Sequence, residues 1–82
     1  MSKIKAERIQ EGQIPSERIV DVRTADGTEE QVIVSDRQVQ DDYLLASEVY
    51  GDKDNVLVEL PREAMSGAWR VWISRERVES AE

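Results

Sequence analysis

Eighteen Asp and Glu side chains carry most of the reactive potential of this 82-residue chain, which contains no histidine and no cysteine. Carboxylates work in pairs as acid and base or as acid and nucleophile, but only inside a cleft that encloses the substrate, which a domain of this size seldom builds. The serines and threonines lack an imidazole or thiol partner, so the common nucleophile–base dyads cannot be assembled. We therefore expect no catalytic residue, no cofactor and no enzymatic activity.

Metal chemistry is the next possibility. Asp52-Lys53-Asp54-Asn55 sets oxygen ligands at alternate positions, as a calcium loop does at its start. The chain then runs directly into Val56-Leu57-Val58, without the central glycine and the distal bidentate glutamate that complete such a loop. A hairpin turn explains the same residues, and Asp41-Asp42 has no third ligand nearby in sequence. No metal site is expected. Gly12, Gly27, Gly51 and Gly67 are single and far apart, which excludes a glycine-rich phosphate loop.

Charge narrows the partners. Lys and Arg number 11 against 18 acids, a formal net charge of −7 with a pI near 4.6. Nucleic-acid and anionic-membrane binding both rest on positive charge, so neither partner is expected. Arg70, Arg75 and Arg77 lie close together, but Glu76 and Glu79 interrupt them. No apolar run approaches the roughly 20 residues of a membrane span, and Met1-Ser2-Lys3-Ile4-Lys5 lacks the apolar run of a signal peptide. The expected location is the cytoplasm.

With polar chemistry set aside, the apolar residues carry the remaining information. Strand side chains alternate between two faces. The expected core sets are Val20 and Val22; Val32 and Val34; Val56, Val58 and Leu60; and Trp69, Val71 and Ile73. Each of these strands also places one large apolar residue on the opposite face: Ile19, Ile33, Leu57 and Trp72. Aligned registers would gather them into one patch for a protein partner or a second copy of the chain. Trp72 would be its anchor, since tryptophan contributes a large contact area and is enriched at binding hot spots. Trp69 is expected to fill the core, where its truncation to alanine would cost on the order of 3–5 kcal/mol.

The elements that must position these residues are short. Residues 1–16 read as a flexible leader, because Ile4, Ile9 and Ile14 recur every five positions, a spacing of neither helix nor strand. Residues 17–78 read as one small β domain and residues 79–82 as a frayed tail. Arg18 to Thr24 and Thr28 to Val34 form a hairpin around Asp26-Gly27, a dipeptide suited to the positive φ of a tight turn. Ser35 to Tyr50 is a polar loop feeding a strand from Tyr43 or, alternatively, a helix over 36–50 capped by Ser35 and Gln38. Asn55 to Leu60 is a strand, Pro61 to Gly67 a single helical turn, and Ala68 to Ser74 the last strand.

Five short strands with one helical turn before the last resemble, in element order and length, a small SH3-like barrel spanning about 17–74. The ligand-binding signature of SH3 domains is absent, and the helical alternative would give a ββαββ α+β sheet. The expected function is a non-enzymatic interaction module, binding a protein partner or itself through Trp72, Leu57, Ile33 and Ile19. Two alternatives are a small regulatory or accessory subunit of a larger complex, and cation or small-ligand binding through the acidic turns.

Overall fold

The β-branched runs separated by Gly, Asp and Asn turns do become strands. The structure, a computed structural model, describes residues 1–81. Its strands are β1 (Ser2–Lys5), β2 (Arg8–Glu11), β3 (Glu17–Arg23), β4 (Glu29–Ser35), β5 (Val39–Gln40), β6 (Tyr43–Gly51), β7 (Asn55–Glu59), β8 (Arg70–Ser74) and β9 (Val78–Ser80). All pairings are antiparallel. A three-stranded sheet has the order β2-β3-β4, and a six-stranded sheet the order β8-β7-β6-β1-β9, with β5 also on β6. The two sheets do not close into a barrel.

The β3–β4 hairpin follows the sequence closely. Its register runs from Glu17 opposite Ser35 to Arg23 opposite Glu29. Gly27 has a φ of 91°, the left-handed conformation that the Asp-Gly dipeptide supplies.

The helix over 36–50 does not form. Ser35 does make the expected capping box: its Oγ accepts from the Arg37 amide, and Gln38 Oε1 accepts from the Ser35 amide, both at 3.0 Å. The cap starts only a 3-10 turn, Asp36–Gln38, that ends at Val39. Asp41 then adopts a φ of 55° and reverses the chain, which sets Val39 opposite Leu44 and Gln40 opposite Tyr43. Aspartate tolerates this conformation better than most residues and is a poor helix former. The helical turn expected at Pro61 to Gly67 is also replaced. Tight reverse turns stand there, with the Ala64 amide donating to the Ala68 carbonyl and the Gly67 amide to the Ala64 carbonyl, both at 2.8 Å. A 3-10 turn does occur, but after β8, at Arg75–Arg77.

The expected leader is built into the sheets. β1 lies between β6 and β9, with Ile4 fully buried opposite Leu44 and Val78. β2 pairs with β3 and sets Ile9 opposite Val20, against the core. The five-residue spacing of these isoleucines straddles two short strands, so no single period describes it. Glu7, in the connection between them, accepts from Arg77 Nη1 at 2.7 Å and from Arg23 Nε at 3.1 Å; these bonds, led by that from Arg77, hold its carboxyl below the usual glutamate range. Of the tail expected to fray, Glu79 and Ser80 belong to β9, which pairs with β1; Glu82 lies outside the described residues.

The core is aliphatic. Val20, Val22, Val32, Val34, Val56, Val58, Leu60, Val71 and Ile73 are buried as strand parity assigns, joined by Ile4, Leu44 and the alanines Ala6, Ala46 and Ala64. Trp69 is not among them: it is 54 % exposed. Parity places it in line with Val71 and Ile73, but it lies just before β8, where its carbonyl accepts from the Leu60 amide at 2.8 Å and its side chain stays largely exposed. The buried core is built from valine, isoleucine, leucine and alanine without it.

Candidate functional site

The outer face of β6, β7 and β8 holds an aromatic pair, Tyr50 and Trp72. Register sets Tyr50 opposite Leu57 and Leu57 opposite Trp72, so the three side chains form one cross-strand row. A register shift in β6 between Glu48 and Tyr50 absorbs Val49 as an extra residue just before the row. The Tyr50 and Trp72 rings meet edge to face, with centroids 6.2 Å apart and planes at 89°. That geometry is favourable for aromatic pairs. Leu57 is half-buried beneath them, while Tyr50 is 62 % and Trp72 40 % exposed.

An open groove of about 550 Å³ borders Trp72. Two turns wall it. In the β3–β4 turn, Asp26 Oδ1 accepts from the Thr24 hydroxyl, from the Thr28 hydroxyl at 2.9 Å and from the Thr28 amide at 3.2 Å. These bonds, led by that from Thr24, hold the Asp26 carboxyl below the usual aspartate range. In the β6–β7 turn, Asp52 Oδ1 accepts from the Asn55 amide at 2.7 Å and the Asp54 amide at 2.9 Å, which lowers its pKa in the same way. The Ala25 amide donates to the Trp72 carbonyl at 2.7 Å and ties the first turn to β8. Arg75 ties the second, its Nε and Nη2 donating to the Asp52 carbonyl at 2.9 and 2.7 Å. Glu30 also lines the groove and accepts from Ser66 Oγ at 2.6 Å.

The four residues expected to form one patch separate into two pairs. Leu57 and Trp72 are neighbours in the larger sheet, as expected. Ile19 and Ile33 are also directly opposite one another, but in the smaller sheet on β3 and β4. Both isoleucines are half-buried, and Ile33 lines a small cavity of about 130 Å³ beside Ile14 and Arg62. Next to this pair, Asp21 is only 5 % exposed and is met by Arg8 Nη1 and Gln31 Nε2, each at 3.0 Å. On the smaller sheet, the polar cluster at Asp21 thus sits beside the two isoleucines.

Sequence reasoning placed Tyr50 at a strand end and missed its contact with Trp72. The register shift at Val49 brings the two together, and nothing in the local pattern announces it. It also missed the exposed Trp69, which lines a second groove of about 380 Å³ with Met1, Leu45, Leu60 and Pro61. The clustered arginines are separately engaged. Arg70 pairs with Glu59 at 3.1 Å, Arg77 with Glu7 at 2.7 Å, and Arg75 holds the Asp52 carbonyl. Among the described residues, no group of three or more acidic side chains converges closely enough to hold a metal ion, and no helix is long and apolar enough to cross a membrane. No protein-family model, curated protein or solved structure matches the chain.

Proposed function

We propose that this chain is a non-enzymatic interaction module that docks a protein partner on the row formed by Tyr50, Leu57 and Trp72. The observation that carries the reading is the exposed edge-to-face Tyr50–Trp72 pair standing over Leu57. The ring surface that stays exposed beyond this mutual contact adds nothing to the fold. Such rings supply large contact area at small entropic cost when a partner covers them. The contact surface of this reading is narrower than the four-residue patch, because Ile19 and Ile33 occupy the other sheet. The partner is a different protein rather than a second copy, since two chains of net charge −7 repel. The reading sets the module in the cytoplasm and treats β3, β4, β6, β7 and β8 as an open, SH3-like arrangement to which β1, β2 and β9 are added.

A second reading, an accessory subunit of a larger complex, draws on the separate groove at Trp69. A module with two tryptophan-bearing surfaces can bridge two neighbours. Affinity capture with the tagged protein tests both. Proteins lost with Trp72→Ala but retained with Ile19→Ala support docking on the row. Proteins lost only with Trp69→Ala support the bridging subunit, and capture unchanged by Trp72→Ala overturns the first reading.

A further inference from the structure

We propose that the groove at Trp69 receives a short extended segment of a second partner, with one apolar side chain in the groove and a neighbouring carboxylate on Arg37. This inference rests on the bridging-subunit reading above and names the chemistry of what docks there.

The lining of this groove is mainly apolar. Met1, Leu45, Leu60 and Pro61 face it with Trp69, in a volume of about 380 Å³. Leu60 is buried, whereas Met1 is 72 % exposed and Trp69 more than half exposed. The backbone that carries these side chains is already set. The Leu60 amide donates to the Trp69 carbonyl at 2.8 Å, which ties the chain just after β7 to the chain just before β8. Arg37 and Gln38 line the groove from the capped 3-10 turn, where the Arg37 amide donates to Ser35 Oγ and Gln38 Oε1 accepts from the Ser35 amide, both at 3.0 Å. Ordering cost on binding is therefore confined to side chains.

Charge selects the occupant. The chain as a whole carries −7, yet the free charge at this groove has the other sign. Arg37 and Glu59 are the charged side chains that line it. Glu59 already accepts from Arg70 Nε at 3.1 Å. Arg37 forms no ion pair with a described residue, and the adjacent Asp36 does not line the groove. A second cation borders it: Lys3 stands opposite Leu45 in the β1–β6 register. The Lys3 ammonium lies 4.7 Å from the Tyr43 ring centroid and likewise has no carboxylate partner among the described residues. At about 0.1 M salt the Debye length is about 10 Å, so more distant acids are screened and these two cations dominate the local field. A guanidinium binds a carboxylate through two parallel hydrogen bonds, and a basic segment is repelled. Two cations are too few for a phosphate backbone against the overall charge.

The test uses the full chain and the peptide acetyl-Gly-Asp-Leu-Asp-Gly-amide. One counterpart replaces both aspartates by asparagine, one replaces them by lysine, and one replaces leucine by alanine. Indole N–H resonances are followed by NMR, and Trp69 is assigned by the signal missing from Trp69→Phe. The expected result is a saturable shift of the Trp69 signal with the Asp-Leu-Asp peptide, at least about fivefold weaker with each counterpart. Arg37→Gln should raise Kd about fivefold, and Arg37→Glu should turn the preference toward the lysine peptide. Raising NaCl from about 50 to about 500 mM should weaken binding as well.

The proposal is overturned if the lysine peptide binds as well as the aspartate peptide, if Arg37→Glu keeps the original preference while folded, if the shift falls on Trp72, or if no peptide shifts Trp69. Sedimentation that shows a dimer lost on Trp69→Ala would put a second copy in the groove and overturn it too. Failure here remains distinct from failure of the bridging reading. Capture of a neighbour that depends on Trp69 but tolerates Arg37→Glu removes the carboxylate and keeps the second docking surface. Capture that tolerates Trp69→Ala removes both and leaves the row at Trp72 untouched.

Discussion

Trp69 and Trp72 lie three positions apart, yet they meet opposite surroundings. Trp72 belongs to the outer row of β8, beside Tyr50 and Leu57, and borders a groove lined by Asp26, Glu30 and Asp52. Trp69 extends the inner row past the start of β8 into a groove with Leu45, Leu60 and Pro61. Neither fills the core, which valine, isoleucine, leucine and alanine complete on their own. The contrast separates two kinds of exposed aromatic: one is aimed at solvent by strand parity, the other has the parity of the core but stands just before its strand begins. Only the first brings aligned neighbours with it.

The largest expected effect checks that neither indole holds the fold together. Ile73, fully buried on the inner side of the same strand, should lose about 2–5 kcal/mol on Ile73→Ala, read from urea denaturation. A loss that small substitutions in the core do not produce, but the tryptophan variants do, would reverse the contrast. Next is partner affinity. Trp72→Ala should lower it by about 30-fold, about 2 kcal/mol, whereas Trp69→Ala stays within about twofold, as measured by calorimetry with the captured partner. Equal losses would erase the distinction between the two grooves.

Smaller is the stability cost of the tryptophans themselves. Trp69→Ala should cost about 1–2 kcal/mol, because more than half of its surface is already in water. A cost of about 3–5 kcal/mol, the range for a buried tryptophan, would return Trp69 to the core.

The least effect concerns the turns that wall the Trp72 groove. Asp26 and Asp52 are held below the usual aspartate value of 3.8, mainly by hydrogen bonds from Thr24 and from the Asn55 amide respectively. Their folded pKa values are depressed, so their contribution is fully present above 3.8 and fades as pH falls through the lower folded values. Denaturation midpoints between about pH 5 and pH 2 should show this acid decline, flattened in Asp26→Asn and Asp52→Asn but unchanged in Trp69→Ala. A decline of full size in the asparagine variants would place its origin elsewhere.

What the sequence conveyed was local. Alternation identified the inner valines of β3, β4 and β7, and Asp26-Gly27 marked the tight turn between β3 and β4. Parity also put Leu57 and Trp72 on one face, where register made them neighbours. The larger failures concerned which strands pair and which sheet they enter. β1 and β2 have four residues each, too few for a period to show, and the partners of β1 are distant in the chain. Whether Ile19 and Ile33 join Trp72 depends on which sheet each strand enters, which alternation does not encode. Trp69 has the parity of a core residue, yet at the edge of β8 it stays 54 % exposed, which alternation alone does not encode. The capping signal at Ser35 was real, but a cap starts a helix without extending it when Asp41 and Asp42 follow.

The position of β1 between β6 and β9 has a kinetic consequence. This strand is synthesised before both of its neighbours, and Ile4 finds Val78 only after nearly all the described chain is available. Closing so long a loop costs entropy before any contact repays it, and such topologies fold slowly for their size. The β3–β4 hairpin, whose pairing is local, is free to form early. Until β9 arrives, Ile4 lacks one of its two covering strands. The emerging chain therefore passes through a period in which β1 presents an unpaired edge, and its high negative charge helps keep such intermediates apart.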